Sequence, residues 1–201
     1  MPYELKMLPF PLRVLARAFM EVNPLSTIPA LEDGALFMTE SAAICQYLVA
    51  RYSPGMLDVA PHEADFGRYL NFLHFGEATL TFPQTLVLRY AHLEPPERRQ
   101  PQIVEDYARW FHARLRTLAP SLEARTLSVR GALHGGGHFR RLCADVMLAE
   151  LLGLSERFAP PIAQYWRALR EREGFLRAMR AQEAAALAQN VSTVPAPALR
   201  P

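Results

Sequence analysis

The sequence predicts two domains, a small α+β unit followed by an all-helical one, and three observations carry that reading. Tyr3, Leu5 and Met7 alternate with Glu4 and Lys6, the period of a half-buried strand. Residues 28–37 are apolar at Ile28, Ala30 and Leu31, turn at 32–34 and resume at Leu36 and Phe37, which predicts a hairpin closed by Asp33-Gly34. From Phe66 onward every long segment repeats its apolar residues at helical spacing.

Taken in order, Leu12 to Val22 reads as one short helix with Leu15, Ala16 and Phe19 on a single face. Ser41 to Arg51 is a second, with Ile44, Cys45, Leu48 and Tyr52 in a stripe, and Ser53-Pro54-Gly55 stops it. Helices are then expected over 66–90, 101–125, 147–154 and 161–188. The series Ile103, Tyr107, Trp110, Phe111, Leu115, Leu118 and Leu122 is the clearest case. The boundary falls near residues 53–63, giving domains at 1–53 and 64–188. The Pro-, Ala- and Ser-rich remainder, 189–201, is expected to be a disordered tail.

Composition removes several functions. The 22 basic and 20 acidic residues are spread along the chain and leave a formal charge of +2, so no basic stripe awaits a nucleic acid. No apolar run approaches the roughly 20 residues that span a bilayer, so no membrane is expected as a partner. The N-terminus lacks the pattern of a secretory leader, and the cytoplasm is the expected location. Cys45 and Cys143 fit no zinc or CxxC spacing, which leaves two reduced thiols and no strong candidate nucleophile.

Chemistry concentrates in NPLSTIPALEDGALFMTESAAICQYL, residues 23–48. This stretch resembles the glutathione-binding half of the cytosolic glutathione transferases, whose pattern is N-P-x-G-x-V/I-P-x-L-x-D-G, a short strand, then E-S-x-A-I at a helix start. YWRALREREGFLRA, residues 165–178, is similar to that family's C-terminal helix. Ser26 departs from the pattern, standing where the family often has glycine.

The resemblance implies a thioredoxin-like first domain, an all-α second one and a cytoplasmic homodimer. It also implies glutathione as co-substrate, with no other cofactor and no metal, and a small hydrophobic electrophile as its acceptor. It implies a cis bond at Ile28-Pro29 that turns the Ile28 backbone outward, where an extended peptide can add as a strand. Ser41, at a helix N-terminus, suits a carboxylate, and Glu40 beside it suits an ammonium. Taken singly, Ser41 is an ordinary cap residue and Glu40 a surface acid; their joint spacing makes Ile28, Pro29, Glu40 and Ser41 the candidate glutathione site. Phe72, Phe75, Thr79 and Trp110 are candidates for the electrophile site, although aromatics on helices more often fill a core.

In that family an opening strand and helix precede the segment resembling MPYELKML, and their loop carries the residue that activates the glutathione sulfur. The reading here is that this first strand, helix and sulfur-activating residue are absent, a mis-called start being the simplest reason. No catalytic residue is assigned. The strand at Tyr3 to Met7 is then expected to lose its neighbour and leave backbone groups to water.

RGALHGGGHFRRLCADV, residues 130–146, offers His134 and His138 at i, i+4, a metal-compatible spacing on a helix. The three glycines between them cost a helix about 1 kcal/mol each, and the ligand set is incomplete. Read one base forward with permitted codons, Ala132 to Val146 spells RFTAADISVGYALM, which resembles the family's capping motif and core helix. Residues 126–146 are therefore expected to be out of frame, and 130–142 to form a loop or frayed helix.

Overall fold

The computed structural model describes residues 2–54, 58–123 and 136–192. Tyr3 to Met7 forms no strand in it. The predicted alternation survives only in part in burial, with Leu5 and Met7 half-buried and Glu4 and Lys6 exposed, while Tyr3 is exposed as well. No strand lies beside this segment among the described residues. Two of its backbone groups nonetheless have a partner. The side-chain amide of Gln189 donates to the Leu5 carbonyl at 2.7 Å, and its oxygen accepts from the Met7 N–H at 2.8 Å.

The single helix expected over 12–22 is two, Leu12–Leu15 (α1) and Phe19–Val22 (α2). Ala16 leaves the helical region at φ −134° and ψ 48°, so Leu12 is buried while Leu15 stays exposed. Leu31–Asp33 (β1) and Leu36–Met38 (β2) then pair antiparallel, Leu31 opposite Met38 and Asp33 opposite Leu36. Gly34, at φ +61°, takes the first place of the two-residue turn, a conformation that suits strand twist and disfavours a Cβ. The turn is thus Gly34-Ala35, one residue beyond the expected Asp33-Gly34.

Ser41–Tyr52 (α3) follows, close to its expected span. Its buried positions are Ala42 and Ile44, whereas Cys45, expected on the inner stripe, is exposed. The Tyr47 hydroxyl donates to Asp33 Oδ2 at 2.6 Å and ties α3 to the hairpin turn.

By its contacts the chain divides into two units, Met1–Leu48 with Arg170–Arg200, and Val49–Leu169. The second unit is helical. Phe66–His74 (α4), a π-helical stretch at Phe75–Thr81, Phe82–Leu88 (α5) and a π-helical stretch at Arg89–Leu93 follow one another without a break. Pro101–Arg116 (α6) starts with proline, whose missing N–H costs nothing at a first helical position. Ala119–Glu123 (α7), Gly136–Leu151 (α8), a 3-10 turn at Leu154–Arg157 and Pro160–Arg170 (α9) complete the unit. Its buried interior includes Leu73, Leu80, Val87, Phe111, Leu115, Val146, Ala149, Ile162 and Trp166. Among the described residues no helix is long and apolar enough to cross a membrane.

Helix α8 covers part of the span expected to be a loop or a frayed helix, 130–142. From Gly136 the backbone is helical; residues 130–135, with His134, lie outside the described residues, as does the side chain of His138. In the frame as written, Asp145, Val146 and Ala149 are buried, and Asp145 Oδ1 accepts a 2.6 Å hydrogen bond from the Thr81 hydroxyl of the π-helical stretch. These anchors offset the glycine penalty at the start of the helix.

The helix expected over 161–188 breaks at Arg172, which is extended at ψ 133°, and Glu173–Ala188 (α10) belongs to the first unit. It ends in a Schellman motif: Asn190, at φ +56°, donates to the Leu187 carbonyl, and Val191 donates to that of Ala186. Gln189, read from the sequence as the first residue of the tail, is therefore the C-cap of α10.

Candidate functional site

The first unit builds the candidate site from one loop, the hairpin and a helix start. Asn23 is buried, and its amide organises the loop: Nδ2 donates to the Thr27 carbonyl at 2.9 Å and to the Thr27 hydroxyl at 3.2 Å, while Oδ1 accepts from the Leu25 N–H at 3.1 Å. Ser26 closes the turn with its N–H on the Asn23 carbonyl. Its φ of +52° is the left-handed conformation that suits the glycine of the family pattern, and its buried hydroxyl has no hydrogen-bond partner.

This loop delivers Ile28, whose side chain is 54% exposed and whose backbone N–H and C=O have no hydrogen-bond partner among the described residues. The Ile28–Pro29 bond is cis. Ile28 and Pro29 lead into β1 and Glu40 and Ser41 follow β2, so both pairs lie in sequence beyond the end of the hairpin where Leu31 meets Met38. The four residues singled out in the sequence thus flank the same end of the hairpin.

The Ile44 N–H donates to the Glu40 carbonyl at 2.8 Å, which makes Glu40 the cap residue and Ser41 the first residue of α3. The amides of Ala42 and Ala43 then have no acceptor inside the helix and add to the positive end of its dipole. Glu40 is exposed and Ser41 half-buried. The arrangement offers an open peptide edge, helix N–H groups for a carboxylate and a carboxylate for an ammonium. Tyr47, whose bond to Asp33 holds α3 to the hairpin, was not singled out in the sequence; it lies at i+6 from Ser41, where the helical period alone does not single it out.

In the second unit, an open cavity of about 470 Å³ is lined by Leu70, Asn71, His74, Phe75, Ala78 and Thr79. Phe75 and Thr79, two of the electrophile-site candidates, share this wall, and the π-helical stretch carries both. Phe72 and Trp110 do not line it. Trp110 stacks instead with Phe82 and Tyr107, at centroid distances of 5.9 and 5.2 Å, under the Arg114 guanidinium. Asn71 and His74 are polar members of the wall that sequence reasoning missed. Their signal is the helical spacing 71, 74, 75, 78, 79.

Residues 1–55 match the family model described as glutathione S-transferase, N-terminal domain. Glutathione S-transferase hmp2 of Hypomyces subiculosus is 33% identical over 103 residues, 46% of this chain and 48% of that protein. Human glutathione S-transferase theta-1 is 45% identical over 53 residues, 22% of each chain. The chain thus spans about half the length, or less, of these curated relatives. Ure2p5 of Phanerochaete chrysosporium, cocrystallized with 1-(S-glutathionyl)-2,4-dinitrobenzene, has a TM-score of 0.69 at 25% identity, over 87% of this chain and 83% of its own. URE2P6 of the same organism, in complex with oxidized glutathione, has a TM-score of 0.72 at 23% identity, over 92% and 86%. With the geometry above, the fold is a thioredoxin-like unit followed by an all-helical one.

Proposed function

We propose that this chain, which belongs to the glutathione S-transferase family, binds glutathione on its first unit and adds the glutathione thiol to a small hydrophobic electrophile. The observation that carries this reading is the backbone edge of Ile28, without a hydrogen-bond partner among the described residues and leading into the end of the hairpin from which α3 starts. The cysteinyl part of the tripeptide pairs with the Ile28 N–H and C=O as an added strand. The γ-glutamyl head carries a carboxylate and an ammonium on one carbon; the first meets Ser41 and the helix amides, the second Glu40. In the reaction the sulfur forms a bond to the electrophilic carbon, the thiol proton passes to water, and a leaving group departs where the electrophile has one. The cavity wall of Phe75 and Thr79 supports an apolar acceptor in the second unit. The same reading makes the protein a cytoplasmic homodimer.

Calorimetry with glutathione and a conjugation assay with a dinitrophenyl halide test the two halves separately. Binding is the expected result, with turnover slow because no residue that activates the glutathione sulfur is assigned. Binding without turnover assigns the chain to a non-catalytic glutathione-binding role, and absence of binding overturns the proposal.

A further inference from the structure

His112 lies outside every group used so far. It sits in the second half of α6, 4% exposed, and its Nε2 is buried without a hydrogen-bond partner. Its ring meets the ring of Phe158 edge-on at 6.3 Å. Phe158 directly follows the 3-10 turn Leu154–Arg157 that joins α8 to α9, and Leu154 in that turn is buried. Arg157 of the turn reaches across to Glu105 on α6, 3.4 Å from each carboxylate oxygen.

The charges around the ring are unbalanced against a proton. Burial lowers the pKa of His112 most, the guanidiniums of Arg157 and Arg116 lower it further, and Glu105 alone opposes them. Helix α5, packed along α6, has no titratable side chain, and Glu77, Arg89, Tyr90 and His92 of the π-helical stretches are not among the groups acting on the ring. A neutral imidazole fits this site; an imidazolium needs partners for two N–H groups and meets two cations against the single carboxylate of Glu105.

We propose that His112 is an acid-sensitive latch that holds the Leu154–Phe158 turn against α6, and that protonation of its ring releases the turn so that the ring reaches water. Phe158 and Arg157 move away together because both act on the same ring. The α8–α9 junction is then the part of the second unit that loosens first on acidification.

Hydrogen exchange of the full chain between pH 8 and pH 5, corrected for intrinsic rates, reads this event at the Phe158 amide, which donates to the Ser155 carbonyl at 3.1 Å. Protection there should be constant above the ordinary histidine value of 6.5 and fall by up to about tenfold per pH unit below it, while amides in the middle of α6 hold theirs. His112→Phe, which keeps a ring against Phe158, should hold Phe158 protection constant over the whole range. A flat wild-type profile, an equal fall in His112→Phe, or a uniform loss across both helices would overturn the proposal. Should His112→Phe not fold, Arg157→Gln decides: the His112 ring, followed by NMR, should titrate at higher pH than in the wild type, and an unchanged midpoint rejects the latch.

Discussion

The side chain of Gln189 meets the backbone of Met7 as a neighbouring strand would, accepting its N–H at 2.8 Å while donating to Leu5 two residues away. One amide thus takes both backbone groups on one edge of the segment. Gln189→Ala should lower stability by about 1 kcal/mol, since both bonds are exposed and each contributes toward the lower end of roughly 0.5 to 1.5 kcal/mol. Urea unfolding checks it, together with faster exchange of the Met7 amide.

Ser26→Gly should stabilise the protein by about 1 kcal/mol. The substitution relieves a left-handed backbone and removes a buried hydroxyl that has no partner, effects that outweigh the added freedom of glycine in the unfolded chain. A thermal melt of the two proteins side by side shows the sign.

Asp145→Ala should cost about 2 to 3 kcal/mol, the range for a buried hydrogen bond to a charged group. Thr81 keeps its weaker bond to the Gly76 carbonyl at 3.2 Å, so Thr81→Val should cost more than that single contact but leave the Asp145 carboxylate buried. Denaturant midpoints of the two single variants and the double variant separate these terms.

Ser41→Ala and Glu40→Gln should each weaken glutathione binding about tenfold, or about 1.4 kcal/mol, with the thermal midpoint nearly unchanged. Titration calorimetry measures both. An affinity equal to wild type in the two variants would remove these residues from the site.

Stability should also depend on pH through His112. Its folded-state pKa lies below the ordinary 6.5, so the folded protein resists a proton that the unfolded chain accepts. Stability is therefore full above about pH 6.5 and falls as pH drops through that value, by at most about 1.4 kcal/mol per pH unit from this group. Denaturant unfolding at pH 7.5 and 5.5, in wild type and His112→Phe, isolates the contribution.

The local structure around Ile28, Pro29, Glu40 and Ser41, the residues proposed to hold glutathione, was legible because it is a short pattern: a loop, a hairpin and a helix start within Asn23–Leu48, where turn chemistry fixes positions without distant help. The long helices were legible for the same reason of periodicity. What escaped the sequence depends on distant partners. Tyr3 to Met7 has the alternation of a strand, but among the described residues no strand lies beside it to make one, and nothing near it in sequence announces Gln189. The breaks at Ala16 and Arg172, the π-helical stretches around Phe75 and Arg89, and the helix begun at Gly136 all follow from packing that local propensity does not encode. The cavity candidates split likewise, since Phe75 and Thr79 share one helix face while Trp110 belongs to an aromatic cluster with Phe82.

The bond from Gln189 back to Met7 also sets a schedule for synthesis. At about 5 to 20 residues per second, roughly 10 to 40 s separate the ribosome's passage over these two positions. Through that interval the Leu5–Met7 backbone lacks its partner, and the exposed side chains of Val14, Leu15 and Val22 stand nearby in the same segment. The first unit gains these two bonds only once Gln189 has been made, and until then the Leu5 carbonyl and the Met7 N–H have water as their partner.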